Sequence, residues 1–156
     1  MKMLLIDGIS GFPINELQRV DSLQFKKLSY SLVNVAQGRL LSFEAPCASN
    51  NFYKAELGWK DERVFLLLNA SYPILAFASS IEYFNIKFID HSLSNDVESS
   101  GCGFRVASAS ELNENLALDE RTLTVLNKNS LNQSELSQIF FWKPKTIGDV
   151  VFNFWD

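Results

Sequence analysis

The chain has 156 residues, 47% of them hydrophobic and 21% charged, with a net charge of −4 and a pI near 5.0. That length suits one domain that buries most of its surface without disulfide staples, so a disulfide scaffold is not required. An acidic chain whose only basic clusters are Lys26 with Lys27 and Lys143 with Lys145 is poorly suited to tracking phosphates, which excludes direct nucleic-acid binding. Thirteen Phe raise the aromatic share to 13%, which implies a sheet-centred fold with a large aromatic core.

In chain order, Met3 to Ile6 is a short strand candidate, and the one Lys and brief apolar run of Met1 to Ile6 before Asp7 are too little for a secretory signal. Asp7 to Pro13 follows as a loop. Its DGISG text lacks the third glycine and the Lys-Ser/Thr of a phosphate loop, so it reads as a turn. From Ser22 to Ala36, Phe25, Leu28, Leu32 and Val35 fall at helical spacing, with Asp21 as N-cap and Gly38 as a left-handed C-terminal cap. A strand reading competes, since Leu28, Tyr30 and Leu32 also alternate, but the longer helical series and its caps favour a helix. Arg39 to Ala45 reads as a strand closed by Pro46, and Cys47 to Asn51 as an exposed loop.

Phe52 to Asp90 holds the densest apolar material and predicts an antiparallel sheet. Tyr53, Ala55, Leu57 and Trp59 alternate with Lys54, Glu56, Gly58 and Lys60, the pattern of a half-buried strand. After the polar break at Asp61 and Glu62, Val64 to Leu68 is a continuous apolar run suited to burial on both faces. Asn69 to Pro73 supplies a turn, and Ile74 to Ala78 returns beside Val64 to Leu68. Ser79, Ser80 and Glu82 form a polar interval, after which Phe84, Ile86 and Phe88 alternate with Asn85 and Lys87. The longest apolar stretch, Val64 to Ala78, is interrupted by Asn69, Ser71 and Pro73 and is too short to span a bilayer. The expected location is cytoplasmic, with Cys47 and Cys102 as reduced thiols.

Ser92 to Gly103 reads as a long polar loop and Phe104 to Ala107 as one more strand. Ser110 is placed to cap a short helix, and Arg121 to Leu126 to form a further short helix or turn. Asn132 or Ser134 opens a helix carrying Leu136, Ile139 and Phe140 on one face, and Pro144 stops it after Trp142. Thr146 and Asp149 form a capping box that starts a second helix at Ile147. Val150, Val151, Phe154 and Trp155 then offer a wide apolar face. It reads either as a core-sealing element docked on the sheet or as an aromatic partner-binding surface.

This tail, LNQSELSQIFFWKPKTIGDVVFNFWD, resembles the C-terminal signature of small bacterial immunity proteins found beside polymorphic or contact-dependent growth-inhibition toxins. The resemblance covers the last sixth of the chain. It implies binding and neutralisation of a cognate toxin domain, and it carries over no interface residues.

Charge gives an independent indication. Asp90 to Glu120 contains seven acidic residues and one basic residue, a net −6, while the rest of the chain sums to +2. Such asymmetry bears on association, and an acidic surface favours a basic partner. A toxin nuclease needs a basic cleft for phosphates, so carboxylates that cover it would associate fast. The residues expected to do so are Asp96, Glu98, Glu111 and Glu114. The bland alternative is an acidic segment that keeps the protein soluble.

Catalytic text is sparse. Asp90, His91 and Ser92 are sequence neighbours that point to different sides of an extended chain and cannot form a triad. His91 is the only histidine, which leaves a metal site to carboxylates or cysteines.

The resulting expectation is a single α+β domain over residues 1–156, with a central, mainly antiparallel sheet covered by an N-terminal helix and C-terminal helices. Functionally it is an immunity protein that occludes a basic toxin domain, with no cofactor, metal or catalytic residue. Two other readings stand beside it: a sheet-based ligand- or peptide-binding adaptor module, and a thiol hydrolase using Cys102 and His91.

Overall fold

The structure, a computed structural model, describes residues 3–13 and 20–155. Its centre is an antiparallel meander of β1 (Arg39–Glu44), β2 (Phe52–Gly58), β3 (Arg63–Asn69), β4 (Ile74–Glu82) and β5 (Asn85–Ile89), in that spatial order. A short β6 (Arg105–Val106) joins in parallel beside Ile74 and Leu75 at the start of β4. The expected α+β class with a mainly antiparallel sheet is therefore what the chain adopts.

Alternation along the strands sends side chains into two separate cores. Ala55, Leu57, Val64, Leu66, Leu68, Leu75 and Phe77 face one side, where α1 (Ser22–Val35) covers them with Phe25, Leu28, Leu32 and Val33. Phe52, Leu67, Ala76 and Phe88 face the other side, against Leu5, Ile9, Leu112, Ile139, Ile147, Val150, Val151, Phe152 and Trp155. β3 is thus buried on both faces, as its continuous apolar run predicts. Each fully buried Leu or Phe contributes about 1.5–3 kcal/mol, so both layers are firmly docked.

Helix boundaries follow their caps. Asp21 accepts the Gln24 N–H and starts α1. Its C-terminal end differs from expectation: the left-handed residue is Gln37 (φ 58°), while Gly38 closes the turn by donating to Val33 O at 2.6 Å. Gly38 is needed for space, since a Cβ there would lie 2.4 Å from Gly58 O and 2.9 Å from the Trp59 ring.

Five further boundaries correct the sequence reading. Met3 to Ile6 is not a sheet strand; Leu5 makes only an isolated bridge to Asn129, whose side chain turns back onto Val125 and Asn127 carbonyls. The polar interval at Ser79 to Glu82 is no break, because β4 continues through it as an exposed strand end. The expected loop from Ser92 holds helix α2 (Ser94–Ser99), seated by buried Leu93 and Val97 four residues apart. Ser108, rather than Ser110, caps α3 (Ala109–Leu112), in a reciprocal box with Glu111. Residues 121–126 belong to a hairpin of β7 (Leu118–Asp119) and β8 (Thr124–Val125), because Asp119 accepts the Arg121 and Thr122 N–H groups and turns the chain.

At the C-terminus, Asn132 opens α4 (Gln133–Trp142), and Thr146 with Asp149 opens α5 (Ile147–Val151), both through complete capping boxes. Lys143, in the left-handed region at φ 52°, ends α4.

A buried polar network fastens this end to the rest. The Glu135 carboxylate, fully buried, accepts the N–H groups of Gly8 at 2.8 Å, Ser10 at 3.0 Å and Asn132 at 3.2 Å, and the Ser10 hydroxyl. Gly8 reaches it at φ 87°, a conformation that a Cβ would disfavour. The DGISG turn is thus an anion-binding concavity filled by the protein's own carboxylate. Asn69 and Asn51 each donate to Ile9 O and Val151 O, while Asn153 donates to Ser10 O and Val150 O. The N-terminal loop, the sheet and the tail are locked together by groups that satisfy one another.

Candidate functional site

The turn between β4 and β5 consists of Tyr83 and Phe84, because Glu82 pairs with Asn85 across it. Phe84 adopts φ 60°, which a bulky side chain rarely accepts, and strain of about 1–3 kcal/mol at such a position often accompanies function. Tyr83 and Phe84 are 68% and 42% exposed. Opposite them, the end of α4 leaves Phe141 74% exposed and half-buries Trp142, whose indole N–H donates to Gln138 at 2.9 Å.

These rings form one continuous cluster. Phe84 lies 5.2 Å from Trp142 and 5.7 Å from Phe154, Tyr83 lies 5.4 Å from Phe154, and Phe141 lies 5.0 Å from Trp142, measured between centroids. Phe154 also packs edge-on against Phe52, which anchors the cluster in the core. The tail supplies core, since Phe152 and Trp155 are buried, whereas Phe154 and Trp142 are half-buried and Phe141 is exposed.

Between the hairpin tip, the end of α4 and the tail lies an open cleft of about 760 Å³. Phe84, Trp142 and Phe154 are among its apolar lining residues, and Lys143, Lys145 and Asp149 are its ionisable ones. Lys143 pairs with Glu120 at 3.1 Å. Asp149 accepts the Lys145 and Thr146 N–H groups at the start of α5.

The four acidic candidates are not brought together. Asp96 and Glu98 lie on α2, whose Val97 belongs to the core beneath α1. Glu111 and Glu114 lie on and just after α3, whose Leu112 belongs to the opposite core, since the chain crosses the sheet edge at β6 between them. The Glu111 side chain is 9% exposed and is used internally, bonded to Arg105 and to the Ser108 N–H at 3.1 Å. Burial raises its pKa, but the Ser108 and Arg105 hydrogen bonds outweigh that and hold it below its ordinary value. Glu114 is half-buried, and its carbonyl accepts the Ile147 N–H at 2.9 Å. Glu98 is exposed and Asp96 half-exposed.

His91 and Cys102 do not engage each other. The imidazole stacks on Trp59 and Phe77, with Nε2 2.9 Å from Glu62 and Nδ1 accepting the Leu93 N–H. Cys102 Sγ lies 3.8 Å from Val97 O, and both cysteines are free thiols. Among the described residues, no group of three His, Cys, Asp or Glu is arranged to hold a metal ion, and no helix is long and apolar enough to cross a membrane.

Comparisons with protein-family models, with curated proteins and with solved structures give no match to this chain. The aromatic cleft is thus the feature from which function must be argued. Sequence reasoning weighed an aromatic surface in the tail but missed the contribution of Tyr83 and Phe84, which reads as ordinary strand text.

Proposed function

We propose that this protein is an immunity protein, which binds a cognate toxin domain in the cytoplasm and neutralises it by occlusion, without chemistry or cofactor of its own. The observation that supports this reading is the aromatic cluster beside a cleft, with Tyr83, Phe84 and Phe141 exposed and Trp142 and Phe154 half-buried. Aromatic anchors seated at the centre of a contact carry most of the binding energy in protein interfaces. The resemblance of the tail to toxin-associated immunity proteins supplies the class of partner. Of the acidic residues first expected to bind, Asp96 and Glu98 remain available as a secondary contact, since Glu111 is engaged by Arg105 and Ser108.

The test is co-expression with the toxin domain encoded beside this chain's gene, with growth and complex formation as readouts. Wild type is expected to restore growth and to elute with the toxin on size exclusion. Phe84→Gly removes one anchor while relieving the left-handed strain at that position. It should fold within about 1 kcal/mol of wild type and weaken binding at least about tenfold. Continued growth arrest with wild type, and no complex at micromolar concentration, would refute the reading.

A second reading, a ligand-binding module, is favoured by the cleft volume of about 760 Å³, which lies within the range of small-molecule sites. A stoichiometric small molecule seen by native mass spectrometry, and displaced in Phe84→Gly, would select it over the first.

A further inference from the structure

The cleft is aromatic, and its ionisable lining is two lysines and one aspartate. Of its three ionisable lining residues, Asp149 has its carboxylate engaged at the start of α5 by the N–H groups of Lys145 and Thr146, 3.2 and 3.3 Å away. Lys143 is held by Glu120, but the two side chains are 63% and 64% exposed, and such a pair is weak enough to exchange. Lys145 is exposed and makes no ion pair among the described residues. Two lysines therefore line the cleft with Phe84, Trp142 and Phe154, and its ionisable lining sums to +1 (2 − 1), opposite in sign to the chain's net charge of −4. A basic partner would bring like charges together here, at a cost that carboxylates avoid.

From this arrangement we infer that the cleft docks an acidic segment of the partner polypeptide. One large apolar side chain of that segment sits among Phe84, Trp142 and Phe154, and carboxylates on either side pair with Lys143 and Lys145. The inference rests on the protein-binding reading of this surface and gives it a chemistry opposite to that expected from the acidic run. Within that run Glu120 reaches Lys143, but Asp96 and Glu98 lie apart from the cleft: β6 and α2 adjoin the start of β4, and the aromatic tip lies at its far end. From Leu75 to Glu82 the strand rises roughly 23 Å.

The experiment is a displayed random-peptide library selected on the full-length protein and counter-selected on a Lys143→Asn/Lys145→Glu variant. Asn suits the left-handed position 143, so the variant should keep its thermal midpoint, which is checked first. Enriched peptides are expected to place Asp or Glu beside Leu, Phe or Trp. In fluorescence polarisation they should bind the variant at least tenfold more weakly, and an Asp96→Lys/Glu98→Lys variant as tightly as wild type. Enrichment of basic or uncharged sequences, or no enrichment that depends on the two lysines, overturns the inference. If wild type still neutralises the toxin in that case, the proposed function stands and only the chemistry of its contact is rejected.

Discussion

Replacing Glu135 tests whether the buried polar network, more than the apolar layers alone, fixes the C-terminal half. Glu135→Ala removes the acceptor for the Gly8, Ser10 and Asn132 N–H groups and for the Ser10 hydroxyl, all in a site without solvent exposure. Each buried donor left unsatisfied costs about 1–3 kcal/mol, and partial rearrangement of the loop brings the expected total to about 3–5 kcal/mol. That is about a fifth or more of the roughly 5–15 kcal/mol stability of a typical domain. Glu135→Gln keeps one carbonyl oxygen but turns an amide toward the Ser10 N–H, for an expected loss of about 1–3 kcal/mol. Urea unfolding followed by tryptophan fluorescence measures both. With a slope of about 2 kcal/mol/M, the Ala variant should unfold about 2 M earlier than wild type. Hydrogen exchange should show lost protection at Gly8 and Ser10 in particular. An Ala variant within about 1 kcal/mol of wild type, with both amides still protected, would refute the reasoning.

The end of α1 makes a paired prediction of opposite sign: Gln37→Gly should stabilise by about 0.5–1 kcal/mol because it relieves φ 58°, whereas Gly38→Ala should cost about 1–3 kcal/mol by pressing a Cβ onto Gly58 O. Thermal melts of the two variants check it, and equal effects would sink it. Glu111→Gln should cost about 1 kcal/mol at neutral pH through its cap and its Arg105 bond. Because the folded pKa is depressed, that contribution is present above the ordinary carboxylate value and is lost as pH falls through the folded one, so the two proteins should converge in stability only once the pH lies below the depressed folded value. A difference independent of pH would contradict the assignment. The Cys47 thiol, exposed and lowered in pKa by the Ser49 hydroxyl 3.2 Å away, should alkylate about tenfold faster than half-buried Cys102; peptide mass spectrometry after brief iodoacetamide treatment decides.

The parts of the fold legible in the sequence are those governed by local pattern. Alternation marks β2 and β5, a continuous apolar run marks β3, and Asp21, Asn132 and Thr146 mark helix starts through side chains that reach only three residues ahead. What was illegible depends on distant partners. In polar text, α2 forms because Leu93 and Val97 find the core beneath α1. Asn51 and Asn69 read as loop and turn residues, yet both bond Val151 O, and Asn153 bonds Ser10 O across 143 positions. Gly38 reads as a cap because glycine tolerates the left-handed region, when the actual constraint is the neighbouring Gly58 carbonyl.

The same distinction separates the two candidate surfaces. Acidic residues close in sequence appear as one patch, but β6 carries the chain across the sheet edge between Glu98 and Glu111 and divides them between two faces. The aromatic cluster has the opposite history. Tyr83 and Phe84 come from a hairpin, Phe141 and Trp142 from the end of a helix and Phe154 from the tail, and only the docking of α4 and α5 on the sheet makes them one surface. That docking depends on the Glu135 and asparagine contacts. The network that stabilises the C-terminal half is therefore also what assembles the cleft, and a variant that loosens the network should weaken partner binding even though no network residue lines the contact except Asn153.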